Sequence, residues 1–172
     1  MSGRRVMERR IVSIWLPQSP MERWQKAQQR AGNALPDDLP QALVAEGPHG
    51  PVIHAVNRAA HLAGVSVAAR VADMRALCPA LKVDFADPEG DRTALQRLAL
   101  WARRWCPWTV ADDWGADGMA MHGLILDTTG SDHLWGGEAA LLARIEADLS
   151  AVNLSARLAL ASTWGAAWAL AR

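Results

Sequence analysis

Short apolar and β-branched blocks alternate along this chain with stretches of helical period. "RIVSIWL" (10–16), bounded by Pro17, reads as a central strand. "SPMERWQKAQQRA" (19–31) follows as a helix, with Ser19 expected as N-cap, Pro20 at the first helical position and Glu22 completing a capping box. "GNALPDDLP" is a loop, and "ALVAE" and "PVIHAV" flank the turn "GPHG" as a hairpin. Two short helices follow, "NRAAHLAG" stopped by Gly64 and "VADMRALCP" stopped by Pro79.

"LKVDF" then reads as a strand, and Asp87-Pro88 open a long helix through "EGDRTALQRLALWARRWC", with Leu95, Leu98, Leu100 and Trp101 as its apolar face. The rest alternates: strands at "WTVA" and "MAMHGLILD", a helix in "GGEAALLARIEADLSAV", the strand "LSARLALA" and a last helix "GAAWALAR". Strands alternating with helices predict an α/β fold with helices covering one face of a sheet. No internal repeat or low-complexity tract interrupts the pattern. The last helix has no cap, glycine or polar tail before Arg172, which leads us to expect that the chain continues.

Composition narrows the classes. A hydrophobic fraction of 51% with 21% charged residues is that of a folding globular chain. Eighteen basic and 18 acidic residues give zero net charge, so no global field favours nucleic acid or an anionic membrane, and DNA binding is expected to be weak or absent. The basic run "GRRVMERR" belongs to a solvated N-terminal tail, residues 1–9. Cys78 and Cys106, without a CxxC or a nearby histidine, read as buried reduced thiols in a cytoplasmic protein. His54 and His61 lack a third ligand, so no metal site is expected there. The apolar stretch from 158 to 171 falls short of the roughly 20 residues a bilayer requires.

Several residues invite chemistry and have a plainer reading. Asp112-Asp113, in "VADDWGADG", are weak candidate metal ligands, and Gly115 and Gly118 make a solvated turn the simpler assignment. Glu138 reads as an acid favoured in the first turn of a helix. Trp101, Trp105 and Trp108 suggest base stacking, but with only Arg103 and Arg104 beside them core packing or a partner surface fits better. "TTGSDHLWGG" lacks the Lys-Ser/Thr of a phosphate loop and reads as a strand-to-helix connection.

Three segments, in order over nearly the whole chain, resemble the palm and fingers of Y-family (translesion) DNA polymerases. "GVSVAARVADMRALCPALKV" (64–83) is similar to that family's Gly-Val, helix and Leu-Cys-Pro segment. "LILDTTG" is similar to the end of its main palm strand, and "SARLALASTWGAAWALAR" to the strand and helix that follow. The resemblance implies a ferredoxin-like βαββαβ palm with helices on one face, formed by residues 10–18 and 82–172. It implies a small, mostly helical fingers insertion at 19–81, and a thumb and little finger beyond Arg172.

The family performs phosphoryl transfer with two divalent cations bridged by carboxylates. Carried over by position, its first metal-binding Asp falls on Leu16 and its Asp-Glu pair on His122 and Gly123, while Asp127 lies past the metal site and is expected to hold the following turn. The nucleotide pocket is altered too: the aromatic steric gate falls on Met21, the triphosphate-gripping Tyr and Arg on Arg58 and His61, and two lysines on Trp164 and Trp168. The tryptophans are expected to fill volume vacated by triphosphate contacts.

This pattern of loss, with "WLP" on the first strand, is similar to the ImuB-type, catalytically inactive branch of the family. The resemblance implies no cofactor, and a role in damage tolerance linking the sliding clamp, a RecA-like accessory protein and an error-prone C-family DNA polymerase. Two alternatives stand beside it. One is residual nucleotidyl transfer with Mg²⁺ held by relocated acids such as Asp112, Asp113 or Asp127. The other is an inactive truncated remnant.

Overall fold

The computed structural model describes residues 8–112 and 122–172. In chain order its elements are β1 (Ile11–Trp15), α1 (Ser19–Arg30), β2 (Gln41–Ala45), β3 (Val52–Val56), α2 (Arg58–Leu62), α3 (Val71–Leu77), β4 (Lys82–Phe85), α4 (Pro88–Ala102), β5 (Thr109–Asp112), β6 (Gly123–Asp127), α5 (Glu138–Ala151), β7 (Arg157–Ala161) and α6 (Trp164–Ala171), with a 3-10 turn at Asp132–Trp135 before α5. They form two compact units, Met1–Pro17 with Arg92–Arg172, and Gln18–Asp91.

In the first unit β1 is central, paired antiparallel with β6 and β7, and β5 adds to β6, giving the order β5-β6-β1-β7. With α4 before β5 and α5 between β6 and β7, this is the ferredoxin-like βαββαβ arrangement. Alternation decides its faces. Val12 and Ile14 from β1 and Leu16 just past its end, with Leu124 and Leu126 from β6, turn to one side and pack against Leu95 and Ala102 of α4. Leu141, Ile145 and Leu149 of α5, each a turn apart, complete that core. Full burial of each Leu or Ile contributes about 2 kcal/mol relative to exposure.

Two expectations for α4 need correction. Its regular helix stops at Ala102 rather than reaching Cys106, and 3-10-type bonds carry the chain through Trp105. Leu100 does not join the apolar face but is 65% exposed. Five residues past the buried Leu95 it lies about 140° around the helix, away from the core.

The second unit has its own three-stranded sheet, order β3-β2-β4. β2 and β3 form the expected antiparallel hairpin, with a register shift between Leu43 and Val44. β4, assigned from sequence to the palm, instead pairs in parallel with β2, Gln41 opposite Lys82. A strand's period marks its faces and not its partner, so only the tertiary fold could make that assignment. The capping box on α1 is also absent. Gln18 is the N-cap, with no side-chain cap bond, because its carbonyl already accepts from the Glu22 amide at 2.8 Å and leaves Ser19 inside the helix.

Asn57 organises this unit. Its Oδ1 accepts from the Ala60 amide (2.8 Å), capping α2, and from the Gln41 amide (3.0 Å), while Nδ2 donates to the Leu39 carbonyl (2.8 Å). Gly64 ends that turn with a φ of +86°, a left-handed conformation that suits glycine. Cys78 and Cys106 are both free and buried. Among the described residues no helix is long and apolar enough to cross a membrane.

Candidate functional site at the β1–β6 strand ends

The end of β1 and the start of β6 are held together by register. Trp15 faces Gly123, and the Leu16 amide donates to the His122 carbonyl at 2.9 Å. Two of the positions that the resemblance assigns to metal ligands thus meet through their backbones. Their side chains differ in what they offer a metal. Leu16 is 1% exposed, belongs to the core under the helices and carries no donor. His122 is buried and brings an imidazole.

Gly123 is more informative, because a side chain has no room there. A Cβ at this position would lie 2.7 Å from the Ile14 carbonyl oxygen, inside van der Waals contact with backbone that cannot swing aside. It would also lie 3.6 Å from Arg172 Nη2 and 3.6 Å from the Asp112 Cβ. Asp112 is the β5 residue directly opposite Gly123.

A cation occupies the surroundings of Gly123. Arg172, at the end of α6, donates from Nη2 to Asp112 Oδ2 at 2.9 Å, with side-chain exposures of 12% and 2%. Its Nη1 donates to the Trp168 carbonyl at 3.2 Å, and its guanidinium stacks 4.0 Å from the Trp168 ring. Trp15 receives a second cation, with the Arg157 guanidinium 5.2 Å from its ring. Asp112 is therefore no solvated turn, contrary to the sequence reading. It closes β5 on the face of the sheet away from α4 and α5, because its neighbour Ala111 packs against the core under those helices.

A pair of Mg²⁺ ions needs hard oxygen ligands in near-octahedral sets. Around Gly123 the one carboxylate these contacts supply is that of Asp112, already engaged by Arg172, and the guanidinium would repel a divalent cation. Among the described residues, those around Gly123 do not fit the metal pair of an active palm.

The remaining predicted positions are dispersed. Asp127 sits at the other end of β6, four residues or about 13 Å from Gly123. There its carboxylate accepts from the Thr129 amide at 3.1 Å and lies 3.5 Å from Arg9 Nε. Hydrogen bonds from Thr129, with Arg9 nearby, hold its carboxyl below the usual range, as expected of a residue fixing a turn. Asp113 lies outside the described residues. Trp168 stacks on Arg172, but Trp164, in the first turn of α6, is 53% exposed and fills no internal volume. In the second unit Met21 is buried against Leu43 and Ala55, whereas Arg58 and His61 are exposed on α2.

Sequence reasoning missed Arg172 and Trp15. The signal for Arg172 was present, since it is the one charged residue in the stretch 164–172, but its partner on β5 became visible only with the sheet assembled.

Comparison with known proteins agrees with this architecture. Residues 26–172 match the impB/mucB/samB family. A stretch of 103 residues is 48% identical to Protein ImuB from two strains of Caulobacter vibrioides, and the match covers 60% of this chain and 21% of each relative. Among solved structures the chain is similar to the insertion ternary complex of Dbh DNA polymerase, with a TM-score of 0.69 at 10% identity over 88% of this chain and 42% of that one. DinB from Sulfolobus solfataricus matches at a TM-score of 0.67 with the same identity and coverage. At such identity these likenesses show the fold alone, a Y-family polymerase palm. The chain belongs to the impB/mucB/samB family and is a Y-family DNA polymerase homologue of the ImuB type.

Proposed function

We propose that this chain is the inert palm and fingers portion of a non-catalytic Y-family homologue, a cytoplasmic adaptor in bacterial DNA-damage tolerance and SOS mutagenesis. The observation that carries the reading is the surroundings of Gly123, a position that the resemblance assigns to a metal-binding carboxylate: a Cβ there is excluded by the Ile14 carbonyl, and the Arg172 guanidinium lies 3.6 Å from it. Positive charge is supplied there by the chain itself. An arginine held by an aspartate and a tryptophan is a fixed structural cation and cannot activate a primer hydroxyl as a metal does.

In the whole protein, of which such a palm is a part, the resemblance supports links to an error-prone C-family polymerase, a RecA-like accessory protein and a sliding clamp. The relocated-ligand alternative is less well supported, since Asp127 lies at the far end of β6 and Asp112 is engaged by Arg172. Primer extension on a templated duplex with Mg²⁺ or Mn²⁺ tests the proposal. We expect no extension above buffer, and no change on replacing Asp112 and Asp127 by Asn. Metal-dependent, templated extension that those replacements abolish would overturn it.

A further inference from the structure

The outer face of α4 carries an unbalanced charge. From residue 92 to 104 the chain has four arginines and no acid, in a protein whose net charge is zero. Arg92, Gln96, Arg97, Leu100, Arg103 and Arg104 are all exposed. Within α4, Arg92, Gln96, Arg97 and Leu100 fall inside an arc of about 140° at 3.6 residues per turn, and Arg103 and Arg104 follow in the 3-10 turns beyond Ala102. None of these four arginines takes part in an ion pair among the described residues.

Neighbouring structure meets the row only at its two ends: exposed Glu89 lies one turn before Arg92 on the same face, and the Asp148 carboxylate on α5 acts on Arg104. Asp148 is shared, since it also accepts from Trp105 Nε1 at 2.8 Å and pairs with Arg144, which leaves Arg97 and Arg103 in the middle of the row without an ion pair among the described residues. Arg104 is pinned, its guanidinium 4.1 Å over the Trp101 ring and its Nε donating to the Trp101 carbonyl at 3.2 Å. Leu100, 65% exposed, sits in the middle of the cations.

The geometry points to this face as a docking surface for an acidic, amphipathic protein segment. The arginines match carboxylates on the partner, and Leu100 supplies an apolar anchor of the kind such segments cover. A phosphate backbone would satisfy the arginines and leave the leucine uncovered, which favours protein over nucleic acid. The surface lies on the helix-covered side of the palm sheet, whereas Gly123 and Asp112 belong to the other side, so it stands independently of whether the palm catalyses anything.

Fluorescence anisotropy on the full chain tests this with three labelled probes. The first is a helical peptide of about 18 residues with Glu and Leu on one face, long enough to follow the row. The second carries Gln for Glu, and the third is a single-stranded oligonucleotide. Saturable binding of the acidic peptide, lost for its Gln counterpart and weakened at least about tenfold by Arg92→Glu, Arg97→Glu and Arg103→Glu together, is expected. Leu100→Ser should weaken the peptide further without changing the oligonucleotide. Arg97→Gln alone, with a thermal melt to confirm folding, gives the same direction should the triple variant fail to fold. The proposal is overturned by no peptide binding, by peptide binding indifferent to these substitutions, or by an arginine-dependent preference for the oligonucleotide.

Discussion

At the scale of single residues, Gly123 and Arg172 shape the end of the palm sheet where β1 meets β6. A Cβ 2.7 Å from the Ile14 carbonyl must push β1 and β6 apart, so Gly123→Ala is expected to destabilise the fold by about 1–3 kcal/mol, measured by urea denaturation. For the same reason His122→Asp with Gly123→Glu should lower stability and yield no Mg²⁺ binding by calorimetry. The buried Arg172–Asp112 pair makes a sharper prediction. Arg172→Met strands a carboxylate that is 2% exposed and should cost about 3–5 kcal/mol. Adding Asp112→Leu should recover much of that loss, because the uncompensated charge is gone. Equal destabilisation by the single and double variants would show that the pair contributes through packing alone.

At the scale of elements, the contact between the turn after α4 and α5 titrates. Trp105 Nε1 donates to Asp148 at 2.8 Å, and this bond, followed by the Arg144 pair, holds the Asp148 carboxyl below its ordinary value of 3.8. A lowered folded pKa means that the contribution to stability is complete above 3.8 and disappears as pH falls through the lower folded value. Trp105→Phe removes the largest cause. Its destabilisation should therefore be larger at pH 7 than at pH 2, and a difference in melting temperature independent of pH would refute the role of the bond. Strand pairing belongs to this scale as well. The run "LKVDF" was legible as a strand, yet nothing in its pattern says that it pairs with β2. Leu100 shows the complementary error, an apolar residue counted toward a face that its helical angle turns to solvent.

At the scale of the whole molecule, the electroneutral chain makes strong non-specific DNA affinity unexpected, since phosphate neutralisation supplies most of it. Duplex binding at physiological salt should be no tighter than about 10⁻⁴ M, the weak end of non-specific affinities, as read by a filter or anisotropy titration. Sub-micromolar binding would mean that local cationic surfaces, the α4 row first among them, outweigh the global balance. The positions of the elements were readable because periods and punctuation are local properties of the chain, whereas the βαββαβ palm order came from the resemblance of three ordered motifs to the Y-family. The match to residues 26–172 agrees with that reading.

Sequence by itself determined where most strands and helices lie, the ferredoxin-like order of the palm through the resemblance, and the residue types at Leu16, His122 and Gly123, the positions that the resemblance assigns to metal ligands. Those follow from apolar period, turn residues and motif order, all of which act within a few residues. Tertiary structure alone decided that β4 leaves the palm sheet, that Asp112 is buried opposite Gly123, and that Arg172 reaches it from α6. The reason is physical. Asp112 and Arg172 are sixty residues apart, and a carboxylate reads as a solvated turn until the sheet that buries it, and the guanidinium that neutralises it, are brought together.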